Sequence, residues 1–434
     1  MVILDAIRGF RKGLRRALKV VSRPVRQARG RGGLVIQAYR GYGSRAGVFL
    51  MGRVFRGQGS GSGGYEENVG RDILDLGRRL VRRGCGNAIV AARFCGAEKK
   101  VVTDRDGYFS VLLKPVKSPP EDRYWHCMEL ELIAPAEPGV RTEAELFVPM
   151  DKSRFVVISD IDDTVIFTGV ANKMMMLWRL FTQGPRSRIV FPGVAAFYRA
   201  LHGGAGVDEM NPLLYVSRGP WSLYEVLDEF FNIHGIPVGP ILFLRKWNLS
   251  LRHPLPRRAR GHKLALIREM LSIYSDMPFI LIGDSGQHDP EIYSRVVREN
   301  PGKVMAVYIR NIEANSLRDR DIKVLAEDVA KAGSILLLAA DSFAMAKHAA
   351  EKGFISPEAL AEVLAERMRE DETALRPTRS IRRPTPAVIR KAVEQGSRAE
   401  KFEGDGAGGM QANILIQSGK DENRDRQKDN SPQI

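Results

Sequence analysis

The stretch that decides the fold is Phe155-Val156-Val157-Ile158-Ser159-Asp160-Ile161-Asp162-Asp163-Thr164. Its first four residues form an unbroken apolar run of the kind a buried strand carries. The carboxylates that follow therefore emerge at the strand's C-terminal edge, where open α/β sheets bind ligands. Two aspartates spaced i, i+2 on an extended segment point the same way, so Asp160 and Asp162 pair one carboxylate for attack with one for proton transfer. Thr164 is expected to fix the turn. Taken alone, the string reads first as an Asp-rich solvated loop.

Working outward, further strands are predicted at 155–159, Leu213–Val216, Ile241–Leu244, Phe279–Ile282 and Val304–Ile309. Helical stretches fall near 193–202, 221–234, 261–274 and 289–299. This βαβ alternation predicts a parallel sheet with helices on both faces. Ser217 follows the second strand and offers a hydroxyl to a phosphoryl oxygen. Gly261-His262-Lys263 opens a helix, and the Lys263 ammonium suits a transferring phosphoryl group. Gly283-Asp284-Ser285-Gly286-Gln287-His288-Asp289 follows the fourth strand and carries two carboxylates suited to Mg²⁺, a hard cation that prefers oxygen. Singly, each has an ordinary reading: Ser217 as a helix cap, Lys263 as a surface charge, Asp284 and Asp289 as loop or cap residues. Their order on consecutive βα edges points to phosphoryl transfer.

That order resembles the haloacid dehalogenase superfamily, whose motifs are an Asp pair, a Ser or Thr, a Lys and a final acidic pair. Ile158–Thr164, Tyr215-Val216-Ser217-Arg218-Gly219-Pro220-Trp221, Gly261-His262-Lys263 and Ile282–Tyr293, with its GDSGQHDPEIY string, are similar to the catalytic domain of the actin-patch-associated phosphatidate phosphatase family. Tyr39-Arg40-Gly41-Tyr42-Gly43 resembles the β-rich segment that precedes this domain in bacterial relatives. The chain departs from the pattern at Arg218-Gly219, where further serines are expected before Pro220. The resemblance implies a haloacid dehalogenase-like, Rossmann-like catalytic domain in which Asp160 is the nucleophile that becomes phosphorylated and Asp162 the acid and base. Ser217, Lys263 and Thr164 are implied to hold the phosphate. Asp160, the carbonyl of Asp162 and Asp284 are implied to bind Mg²⁺, with Asp289 a second metal-site acid or an orienter of Lys263.

The expected organisation is a basic amphipathic helix in 1–30, a β-rich, sandwich-like domain over 35–150, the phosphatase domain over 151–320, a helical extension over 321–370 and a disordered tail over 371–434. In the first segment Ile3, Ile7, Phe10, Leu14, Leu18 and Val21 form an apolar stripe, with Arg8, Arg11, Lys12, Arg15, Arg16 and Lys19 on the other face. Contact with an anionic membrane surface, docking on the protein itself and an organelle transit peptide are the three readings; a cleaved secretory signal is disfavoured. Between 35 and 150, period-two runs such as Met128–Ile133 suggest the sandwich, and Asp104-Arg105-Asp106-Gly107 reads as a hairpin turn or a metal loop. Gly57–Gly64 reads as a flexible loop. Asn172–Phe181, rich in Met, reads as a cap that receives an acyl chain or as a core helix; Trp221 and Trp247 read as packing residues.

With 67 basic and 51 acidic residues, the net charge of +16 favours acidic partners. The basic residues gather at the termini without aromatic stacking platforms, so specific nucleic-acid binding is not expected. Cys85, Cys95 and Cys127 are odd in number and lack CxxC spacing; they read as small core residues in a reducing compartment. No segment has the ~20 apolar residues of a spanning helix. The expectation is a cytoplasmic, peripheral membrane Mg²⁺-dependent phosphomonoester hydrolase acting on an anionic phospholipid, phosphatidate being favoured. Its rivals are a phosphatase for a soluble metabolite or phosphoprotein, and a catalytically silent membrane-surface binding module.

Overall fold

The computed structural model describes residues 27–29, 33–56, 84–135, 140–162, 164–165, 191–219, 221–243, 259–312 and 316–375. The basic segment 1–26, Gly57–Gly64, Asp163, Asn172–Phe181, Trp247 and the tail from 376 lie outside the described residues.

The first region is β1 (Gln27–Arg29), β2 (Leu34–Ala38), β3 (Gly41–Ser44), β4 (Gly47–Arg56), β5 (Ile89–Phe94), β6 (Ala97–Val102), β7 (Tyr108–Leu113), β8 (Trp125–Ala134) and β9 (Val140–Phe147). They form one hydrogen-bonded network in the order β1-β2-β4-β3-β9-β8-β5-β6, with β7 on the other edge of β4. Period-two patterning explains the half-buried strands: on β8, Met128, Leu130 and Leu132 are buried while Cys127 and Glu129 are exposed. The inward side chains make a separate core with Val48, Leu50, Val90 and Val111.

The second region supplies β10 (Val156–Asp160), β11 (Leu213–Ser217), β12 (Ile241–Phe243), β13 (Phe279–Asp284), β14 (Val304–Arg310) and β15 (Ile335–Ala339), all parallel, in the order β12-β11-β10-β13-β14-β15. The helices are α1 (Val194–Gly203), α2 (Tyr224–His234, preceded by a 3-10 turn at Trp221–Leu223), α3 (Ala259–Ile273), α4 (Asp289–Glu299), α5 (Ser316–Lys331), α6 (Ser342–Glu351) and α7 (Pro357–Leu375). Alternate residues of β10 enter two cores. Val157 packs with residues of α1, α2, α6 and α7. Val156 and Ile158 pack with residues of α3, α4 and α5. Helices thus cover both faces, which is why these strands are continuously apolar. From β10 the chain passes first to β11 on one side and later to β13 on the other, so the strand order reverses at β10. The crevice beyond its C-terminal end, where Asp160 stands, is the ligand position of such sheets.

Several expectations need correction. The extension over 321–370 is not purely helical: Ile335–Ala339 joins the sheet beside β14. A five-residue apolar run fits a buried strand or a helix segment alike, and its pairing with β14 makes it a strand. Within 1–30, Gln27–Arg29 pairs with Val35–Gln37. The expected tail begins helical, since α7 runs to Leu375. Asp104–Gly107 is a turn, with Asp104 Oδ1 accepting from the backbone N–H groups of Asp106 (2.9 Å) and Tyr108 (3.0 Å), but not a hairpin. The strands it joins, β6 and β7, pair with β5 and β4 respectively. Cys85 and Cys95 are partly buried, whereas Cys127 is exposed and no core residue. Among the described residues no helix is long and apolar enough to cross a membrane.

Candidate active site

Asp160 ends β10 and is fully buried. Its Oδ1 accepts from Lys263 Nζ at 2.7 Å, and the same ammonium donates to Asp289 Oδ1 at 2.5 Å. Lys263 is 1 % exposed, which removes its reading as a surface charge. It stands in the second turn of α3, and Asp289 is the first residue of α4, so helices on one face of the sheet aim both groups at the end of β10. Burial opposes the charged lysine, yet Asp160 and Asp289 outweigh it and hold its pKa well above the ordinary value. Burial pushes the Asp160 carboxyl up to about 7, a rise that Lys263 opposes and that Asp289 and Asp162 reinforce.

Asp284, at the end of the adjacent β13, completes a cluster in which one oxygen each of Asp160, Asp284 and Asp289 lie within 4.8 Å of one another. A Cβ at position 283 would lie 2.3 Å from Asp289 Oδ2, so only glycine admits this approach. Three carboxylates against one ammonium leave two uncompensated negative charges. Burial pushes the Asp284 carboxyl up to about 8, and Asp289 and Asp160 add to the rise. Oδ2 of Asp160 and Oδ2 of Asp284 are buried and have no hydrogen-bond partner. Orphaned carboxylate oxygens and missing positive charge fit a hard divalent cation such as Mg²⁺.

The second half of the site is the loop after β11. Ser217 is 2 % exposed, and its Oγ accepts from Gly219 N at 3.0 Å rather than capping a helix. Arg218 N donates to Asp162 Oδ2 at 3.2 Å, tying the Ser217 loop to the second aspartate. The Asp162 carbonyl accepts from Gln287 Nε2 at 3.2 Å. Thr164 is buried, but its Oγ1 makes no hydrogen bond, so its hydroxyl does not fix the turn. Val165 N to Ile161 O, at 3.1 Å, does.

Arg310 went unnoticed in the sequence. It ends β14 as the register partner of Asp284, donates from Nε to the Thr164 carbonyl at 3.2 Å and from Nη2 to Ser342 Oγ at 2.7 Å, and lies 4.2 Å from the centre of the Phe191 ring. Burial lowers its pKa to about 10. A charge directly after an apolar strand on the same edge is the signal that found Asp160, and it applies equally here. Arg318 also escaped notice; it braces the turn after β13 through Ser285 O (2.9 Å), Gln287 O (2.9 Å) and Glu291 (2.6 Å).

Fold and site together define an α/β domain with a carboxylate–lysine centre at the carboxyl edge of a parallel sheet. Residues 155–311 match the family model described as phosphatidate phosphatase APP1, catalytic domain, and this stretch of the chain is similar to that domain. Over 164 residues it is 33% identical to phosphatidate phosphatase APP1 of Saccharomyces cerevisiae, covering 38% of this chain and 27% of the yeast protein. An uncharacterised protein of Schizosaccharomyces pombe is 28% identical over 167 residues, covering 38% of this chain and 26% of its own. The chain thus spans about a quarter of the length of these relatives. Among solved structures, a carbohydrate acetylesterase from Xanthomonas citri matches with 12% identity and a TM-score of 0.23, over 67% of this chain and 73% of that one. A likeness of that size carries no argument.

Proposed function

We propose that the domain is a Mg²⁺-dependent phosphomonoester hydrolase of haloacid dehalogenase type that converts phosphatidate to diacylglycerol and phosphate. The observation that carries this reading is the buried Asp160–Lys263–Asp289 network beside Asp284, in a stretch related to a phosphatidate phosphatase. The Asp160 carboxylate attacks phosphorus, the bond from phosphorus to the lipid oxygen breaks, and an aspartyl-phosphate forms. Asp162 gives its proton to the departing alkoxide. It then takes a proton from the water that attacks phosphorus, which frees phosphate and regenerates Asp160. Lys263, anchored between two carboxylates, keeps Asp160 in place and offsets charge on the phosphoryl oxygens; Ser217 Oγ donates to one of them. Asp160, Asp284 and the Asp162 carbonyl, with Asp289, would hold Mg²⁺, which would supply charge neutralisation between the anionic nucleophile and the anionic phosphate. The basic segment 1–26 supports peripheral action at an anionic membrane surface.

The test is turnover by the purified full chain of vesicle phosphatidate, other phospholipids and soluble phosphomonoesters, with and without EDTA, beside Asp160→Asn. Phosphatidate turnover that needs Mg²⁺ and vanishes in the variant is expected. Preference for a soluble phosphomonoester replaces the lipid assignment, and substantial activity in Asp160→Asn removes the proposed nucleophile.

A further inference from the structure

The β-rich region meets the catalytic domain at several points, among them Tyr42 against Tyr274, Phe147 against His202 and Tyr39 against Trp221. Tyr39, on the connection from β2 to β3, is 3 % exposed and buries its ring in the catalytic core. It stacks on Trp221 with centroids 4.6 Å apart and 28° between planes, and lies 4.6 Å from Tyr224. Trp221 in turn lies 4.9 Å from Phe243, the residue on β12 in register with Ser217. Beside it, Arg40 N donates to the Tyr224 hydroxyl at 2.8 Å, and the Arg40 guanidinium pairs with Glu145 at 2.8 Å and with Asp228 of α2. Gln37 Nε2 donates to Glu225 Oε1 at 2.7 Å. The connection is itself held rigidly: a Cβ at position 41 would lie 2.3 Å from Leu146 Cδ2 and 2.5 Å from the Phe49 carbonyl.

What this contact grips is the turn that begins at Ser217. Only three residues separate Ser217 from Trp221, and within them lie the Gly219 N–H bond to Ser217 Oγ and the Arg218 N–H bond to Asp162 Oδ2. The turn has no slack on its inner side, because a Cβ at 219 would meet Leu223 at 3.1 Å and Phe243 at 3.4 Å. We infer that Tyr39 and Arg40 are positioning residues for phosphoryl transfer: by clamping Trp221 and α2 they hold the Ser217 turn, and through it the Asp162 carboxylate, in register with Asp160. The inference rests on the phosphatase reading for its effect on rate, but not for its effect on the turn. On this account the β-rich region is part of the catalytic scaffold.

The test uses the full chain as wild type, Tyr39→Ala, Tyr39→Phe and, as a control for general destabilisation, Val90→Ala in the separate β-region core. The measurements are kcat and KM on p-nitrophenyl phosphate without lipid, hydrogen exchange of the amides in 218–223, and thermal unfolding. Tyr39→Ala should lose about 10-fold or more in kcat/KM and exchange those amides faster, since small displacements of reacting groups are costly. Tyr39→Phe, which keeps the ring, should match wild type in both. Val90→Ala should lower the melting temperature while leaving kcat/KM and local exchange unchanged. If Tyr39→Ala does not fold, Tyr39→Leu is judged by the same criteria. Tyr39→Ala behaving like Val90→Ala overturns the inference, as does faster exchange with undiminished kcat/KM in an active enzyme. If wild type hydrolyses no phosphomonoester, the phosphatase reading fails separately and the exchange comparison alone decides the clamp.

Discussion

Replacing Asp284 by Asn isolates the charge problem at the heart of the site. The variant keeps the shape and retains an Oδ1 that can accept from Gln287 N, a bond of 2.8 Å in the wild type. It removes the carboxyl whose ionisation the buried cluster opposes. A carboxyl raised from 3.8 to about 8 contributes stability that is fully present below its unfolded pKa and is lost as pH rises through the folded one. At about pH 7, at 1.36 kcal/mol per pKa unit, that loss is on the order of 4 kcal/mol. In EDTA, the stability of Asp284→Asn relative to wild type should therefore rise by that amount as pH goes from about 4 to about 7. Mg²⁺ should reverse the order, because a cation at 100-fold its Kd stabilises the wild type by about 2.7 kcal/mol and the variant by little. Urea unfolding across pH, with EDTA or Mg²⁺, reads both effects. Parallel pH profiles, or equal stabilisation of the two proteins by Mg²⁺, would refute the reasoning.

Lys263→Met should cost about 3–5 kcal/mol by leaving Asp160 and Asp289 without their buried partner, and should end turnover; a urea midpoint near wild type would show that the pair is not stabilising. His202 is held below its ordinary pKa of 6.5 by burial, so the folded state resists a proton that the unfolded state accepts and stability falls with acid. The stability advantage of wild type over His202→Gln should accordingly narrow below about pH 6.5, where matched urea titrations are compared. Deleting residues 1–26, a boundary that spares β1, should weaken turnover of vesicle phosphatidate but not of a soluble phosphomonoester, at about 1 kcal/mol of membrane attraction per basic residue. Equal vesicle turnover at every salt concentration would remove the segment from lipid binding.

What was legible in the chain was what local patterning controls. Runs apolar on both faces marked β10, β11, β13 and β14, and the 289–299 helix agrees with α4 residue for residue. Because carboxylates directly follow such strands, Asp160 and Asp284 could be placed on one sheet edge before any contact was known. β15 was missed because a short apolar run between helices has no period that separates strand from helix, and only its pairing with β14 decides the matter. A hairpin was expected at Asp104–Gly107 because turn chemistry is local, whereas the partners of β6 and β7 are chosen by the whole β-region core. Lys263 was placed in the site by motif order, yet taken singly it also read as a surface charge, because its burial depends on carboxylates 103 and 26 residues away and no local propensity encodes them. The grip of Tyr39 and Arg40 on the turn after β11 spans more than 180 residues, as in the Arg40–Tyr224 hydrogen bond. The sequence by itself determined which groups could react and on which edge they stand, since strand period and the apolar runs are encoded residue by residue. Only the tertiary structure decided their charge balance, their burial and what holds them, because those follow from long-range packing.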